Sequence, residues 1–167
     1  MFAEWYQSFL PDAVVRVDDR VDRILMYRDI GLMIDHAPHV AAPWTLMVQY
    51  LLPFDPDTAH EVWNEFIDRF LIEGPNGIHV GLTPETDFED IPSTCRGTWL
   101  AREVGDDSRF EGLLEWVDSH YEPRLDKTRD EFAYWFGLNE RYPRGQWNNT
   151  IMNALVAPSG TWSSILQ

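Results

Sequence analysis

Three segments of this chain are apolar around most of a helical circumference, and each follows a stretch containing Pro or Gly. They cover residues 43–52, 92–101 and 147–156, with starts about 50 residues apart, a spacing typical of repeat architectures. The first two lead into segments of a different kind. After Asp55-Pro56-Asp57, the residues Val62, Phe66, Phe70 and Leu71 mark one face of a helix, with Glu61, Glu65 and Asp68 on the other. After Asp106-Asp107-Ser108, the residues Phe110, Leu113, Leu114 and Val117 do the same opposite Glu111, Glu115 and Asp118. The period is close to 3.6, and both segments open with carboxylates that cap free N–H groups and suit the helix dipole.

A largely apolar helix paired with a half-polar one is the unit of an α/α toroid or solenoid. The pattern therefore predicts an all-α fold of tandem helical hairpins forming about half of an α/α barrel. We read residues 1–167 as one such domain, incomplete on its N-terminal side. The segments 72–91 and 121–146 read as long loops, each feeding the start of an apolar helix, where function gathers on a helical scaffold.

Charge narrows the chemistry. With 13 basic and 28 acidic residues the formal net charge is −15, and no cluster of Lys and Arg offers the basic stripe that nucleic acid requires. The same field opposes anionic membranes and diphosphorylated substrates. A small neutral organic substrate is easier to reconcile with it. No apolar run reaches the roughly 18–20 residues needed to span a bilayer, and no leader sequence is evident, so the expected location is the cytoplasm. Cys95 is the only cysteine, which excludes an intrachain disulfide or a Cys-based zinc site. Its place near a helix start could lower the thiol pKa, although a small buried residue is the commoner role. No metal ligands and no cofactor are expected.

Asp18-Asp19-Arg20-Val21-Asp22 spells the DDxxD pattern with which isoprenoid-diphosphate enzymes hold magnesium on a helix. Neither a second metal motif nor a diphosphate-binding basic set accompanies it, and a solvated charged turn is the favoured reading. Asp35, His36 and His39 precede the first apolar helix, and His39 is the better acid/base candidate because it is nearer the helix start. A dense carboxylate run, 85–90, precedes the second, where Glu89 and Asp90 are best placed to divide into acid and base. The string from Tyr142 to Asn149 combines a phenol, a guanidinium, amides and an indole around Pro143-Arg144-Gly145, just after the aromatic run 132–138.

Three stretches resemble the later part of the linalool dehydratase/isomerase family. They are Ala42-Pro43-Trp44-Thr45-Leu46-Met47 leading to Phe54-Asp55-Pro56, then Thr98-Trp99-Leu100-Ala101-Arg102-Glu103-Val104-Gly105-Asp106, then Phe110-Glu111-Gly112-Leu113-Leu114-Glu115. The resemblance covers residues 5–123. It implies an α/α barrel around an aromatic cavity, and cofactor-free acid/base chemistry that interconverts a tertiary terpene alcohol, its primary isomer and a diene. The family's paired cysteines, in a Cys-Glu-Pro-Asp-like loop and a following Cys-Asn, have no counterpart here, nor do its early tyrosine and histidine. Cys95 lies in a different segment and does not inherit their role.

The site expected on this reading joins His39 and Asp90 as proton carriers to Arg144, Gln146 and Asn148 as groups that orient a hydroxyl. Trp44, Trp99 and Tyr134 form its walls. Such a chain is incomplete as a catalyst alone and is expected to self-associate or to pair with another barrel half. Two alternatives stand beside it: a carbohydrate-active α/α toroid using Glu89 and Asp90, and a non-catalytic interaction module.

Overall fold

A computed structural model describes residues 12–27, 33–36, 40–75, 77–119, 145–162 and 164. The apolar and half-polar helices lie where the periodicity places them. Helix α1 (Ala41–Leu51) buries Ala41, Pro43, Trp44, Thr45, Met47, Val48 and Leu51, and so is enclosed on most sides. Helix α2 (Pro56–Phe70) buries Ala59, Val62, Trp63, Phe66 and Phe70 along one stripe. Asp55 caps α2 by accepting the Thr58 N–H at 3.1 Å, Pro56 sits in the first turn where its missing N–H costs nothing, and Arg69 stands in the last turn. Helices α3 (Ile91–Glu103) and α4 (Asp107–Ser119) repeat the pairing, and α5 (Gly145–Val156) packs on α3.

The chain is not all-α. Among the described residues two antiparallel sheets accompany the five helices, so the fold is mixed. Strands β1 (Val14–Val17), β2 (Arg20–Tyr27) and β3 (Met33–His36) form one sheet in that order. Strands β4 (Leu71–Gly74) and β5 (Gly77–Val80) form the other. The physical reason lies in residues that a helical reading passes over. Val14, Val15, Val17 and Val21 are β-branched and flank a two-residue turn in which Val17 pairs with Arg20. Asp18 and Asp19 hold φ values of 50° and 65° there, the left-handed conformation such a turn demands and Asp tolerates. The DDxxD string is thus a hairpin turn running into β2, not a helical metal face.

The segment after α2, expected as a long loop, forms a hairpin. Gly-Pro-Asn-Gly between β-branched residues is hairpin chemistry, and Leu71 pairs with Val80 while Gly74 pairs with Gly77. Gly77 has φ +105°, and a Cβ there would lie 2.7 Å from the Gly112 carbonyl oxygen and from the Trp116 nitrogen. This close backbone approach seats the β4–β5 hairpin on α4.

One large cluster joins α1, α2 and the first sheet. The rings of Trp63, Phe66, Phe70 and Trp44 follow one another at centroid separations of 5.5, 5.8 and 5.9 Å, a contact range in which aromatic pairs add to area burial. Val14, Val21 and Ile24 of the first sheet join the same cluster. The Trp63 indole donates to Asp106 Oδ2 at 3.1 Å, while Asp106 Oδ1 accepts the Arg109 N–H at 3.2 Å. One carboxylate thus opens α4 and ties it to α2. Among the described residues no helix is long and apolar enough to cross a membrane.

Candidate functional site

Helices α1, α3 and α5 each carry polar residues at helical-neighbour spacing. On α1 they are Thr45 and Gln49, on α3 Ser93 and Arg96, on α5 Thr150 and Asn153. Gln49, Arg96, Trp99, Thr150, Asn153 and Trp162 line a cavity of about 280 Å³ between these helices. The C-terminal segment closes one side. Trp162 donates its indole N–H to the Gln49 carbonyl at 2.7 Å and its backbone N–H to Glu103 Oε2 at 3.1 Å. Its ring meets Trp99 edge to face, with centroids 5.8 Å apart. Beneath it, Arg102 donates to the Ala154 carbonyl and Ser159 donates to the Arg102 carbonyl at 2.8 Å.

Among the described residues that line the cavity, Arg96 is the one formal charge. Its Nη1 donates to Thr45 Oγ1 at 3.1 Å, and Thr45 in turn donates to the Ala42 carbonyl at 3.0 Å. Burial pulls the guanidinium below its ordinary pKa, opposed by the proximity of Tyr50, Asp90 and Cys95, and it remains charged at neutral pH.

Asp90 stands at the N-cap of the same helix, 8% exposed. Its Oδ2 accepts the Ser93 hydroxyl at 2.5 Å, while Ser93 itself is fully buried. Burial raises the Asp90 pKa; bonds from Ser93 and the charge of Arg96 oppose that without cancelling it. Asp90, Ser93, Arg96 and Trp99 follow at three-residue intervals, so each neighbours the next along α3. Cys95 is fully buried, and desolvation, reinforced by Asp90, drives its thiol pKa up. A helix-start position therefore does not activate this thiol. It packs with Trp116, Val117 and Ile151 as a small apolar residue.

The other sequence candidates fall in different places. Trp99 lines the cavity, whereas Trp44 is fully buried in the core, with the Arg69 guanidinium 4.9 Å from its ring centroid. Glu89 is exposed and accepts the Trp116 indole N–H at 3.3 Å. Gln146 and Asn148 belong to the first turns of α5, and their side chains lie outside the described residues, as do His39, Tyr134 and Arg144. Among the described residues no group of three or more His, Cys, Asp or Glu could hold a metal ion.

Sequence reasoning missed Arg96, Gln49, Asn153 and Trp162 as site residues. The signal available was an arginine inside the run Ser93-Thr94-Cys95-Arg96-Gly97-Thr98, where every neighbour is small. A long cation among residues that cannot cover it must reach toward space or water. No family model and no curated protein matches this sequence.

Proposed function

We propose that the domain binds a small organic molecule in the cavity between α1, α3 and α5, with an oxygen-bearing head group on Arg96. The observation that carries this reading is the Arg96 guanidinium lining a cavity otherwise walled by two indoles, two amides and a hydroxyl. A few convergent polar groups on an aromatic concavity are the usual make-up of a ligand pocket. Gln49 and Asn153 supply both donors and acceptors, so a hydroxyl, carbonyl or carboxylate can be met at more than one edge. The test is calorimetric titration with small oxygenated aromatic and branched aliphatic compounds, alongside Trp99 and Trp162 fluorescence. Saturable binding that is weakened by Asn153→Leu is expected. The absence of binding at millimolar concentration across the series overturns the reading.

A second reading is catalytic and rests on Asp90. This residue does not line the cavity but lies two three-residue steps before Arg96 along α3, bonded to Ser93, with its pKa raised by burial. A carboxyl held toward its neutral form can protonate a hydroxyl, which leaves as water while a neighbouring carbon returns a proton to the carboxylate so formed. This is the hydro-lyase chemistry implied by the resemblance to linalool dehydratase/isomerase, on a neutral terpene alcohol. Incubation with a tertiary monoterpene alcohol and gas-chromatographic search for the diene or primary isomer tests it. Product that is absent from Asp90→Asn supports it, and no product above a buffer blank removes it.

A further inference from the structure

We infer that the cavity is selective for a monocarboxylate, whose carboxylate meets Arg96 and whose compact apolar body lies against Trp99 and Trp162; this rests on the binding reading above. Several other arginines among the described residues meet carboxylates. Arg16 engages Glu61, Arg20 engages Glu65 and Asp68, and Arg69 engages Glu65 together with the carbonyls of Asp22 and Val21. Arg96 is more enclosed than Arg16 or Arg20, yet its one hydrogen bond among the described residues goes to the neutral Thr45 hydroxyl. A guanidinium carries five N–H donors in a planar fork, so most of its donor capacity is left for whatever fills the cavity.

The carboxylate close enough to influence Arg96 electrostatically is Asp90, and that group takes the Ser93 hydroxyl at 2.5 Å. Among the described residues, none that lines the cavity is acidic. The space therefore presents one positive charge and neutral polar groups. A planar carboxylate fits the fork with two parallel bonds, which a hydroxyl or a primary amide cannot reproduce.

Size and total charge set the rest. A volume of about 280 Å³ has room for at least one ring or a short branched chain. The net charge of −15 opposes anions at long range, but exposed charges are screened beyond about 8 Å at physiological salt. The local guanidinium therefore decides for a single negative charge. A phosphate dianion brings a second charge for which no second cation lines the cavity among the described residues.

The experiment compares isosteric probes on the wild-type 167-residue chain: phenylacetate, phenylacetamide, 2-phenylethanol and benzylphosphonate, with isovalerate and isovaleramide as the aliphatic pair. Each acid is expected to bind at least about tenfold more tightly than its neutral partner, a difference equivalent to about 1.4 kcal/mol. In Arg96→Gln that preference should collapse to below about threefold. Asn153→Asp, which places a negative charge on an exposed position at the cavity, should weaken the acids more than the alcohol. Equal binding of acids and neutral partners overturns the carboxylate inference while leaving the binding reading in place. Tighter binding of the phosphonate overturns it in favour of a dianion. Binding by none of the probes overturns both. The wild-type comparison stands whether or not a variant folds.

Discussion

The indole N–H of Trp162 donates to the backbone carbonyl of Gln49 at 2.7 Å, across 113 positions of sequence. That bond fastens the C-terminal segment to α1 and makes Trp162 a wall of the Arg96 cavity rather than a tail residue. Two substitutions separate the bond from the ring. Trp162→Phe keeps an aromatic body and loses the donor, and should cost about 1 kcal/mol. Trp162→Ala also removes the packing against Trp99 and should cost about 2–3 kcal/mol, below the range for a fully buried tryptophan because this one is half-buried. Urea denaturation of both variants gives the comparison. Equal losses would show that the ring contributes nothing beyond its N–H.

Asp90 ties stability to pH in a defined direction. Its folded pKa is raised above the ordinary 3.8, so the native state holds the proton more tightly than the unfolded chain. The stabilisation from that proton is fully present below the unfolded pKa and is lost as pH rises through the folded value. Asp90→Asn cannot ionise and keeps an acceptor for Ser93. Relative to wild type it should therefore gain stability from pH 4 upward and level off above the folded pKa. Denaturation midpoints at unit intervals from pH 4 to pH 8 trace the difference, and a flat or falling one contradicts a raised pKa.

Cys95 should behave as an inert core residue. It is fully buried and its thiol is pushed away from ionisation by desolvation, so thiolate chemistry has neither the species nor the access. Labelling by a thiol reagent at pH 8 should be slower in the native protein by about a thousandfold or more than in urea, since it requires an opening event. Labelling at comparable rates in both states would mean that the α3–α4–α5 contact around Cys95 opens freely.

At the first hairpin the turn residues, not a metal, set the energetics. Asp19 holds φ 65°, a conformation glycine adopts without steric cost. Asp19→Gly should stabilise the protein by about 0.5–1 kcal/mol, and millimolar magnesium should leave the melting temperature of the wild type unchanged. A magnesium-dependent rise that is lost in Asp19→Gly would restore a metal role for this acidic string.

Much of the helical layout was legible because it depends on local rules. Apolar periodicity, Asp55 with Pro56 at one helix start and Asp106 with Asp107 at another mark where α1 to α4 begin and which faces they bury. The strands leave a fainter trace. Val14-Val15-Arg16-Val17 and Leu71-Ile72-Glu73-Gly74 are too short for periodicity to separate from helix, and the turn chemistry beside them carried the distinction.

The sequence by itself determined the helix pairs, the absence of a disulfide and the overall acidic balance, because each follows from residue type and near-neighbour spacing. Only the tertiary structure decided which polar residues share a site. Thr45 meets Arg96 across 51 positions, and Gln49 meets Trp162 across 113. It also decided that Asp90 and Cys95 are desolvated, which reverses the reading a helix start alone suggests for the thiol. Burial and long-range contact are properties of how the elements pack, and no local spacing rule encodes them.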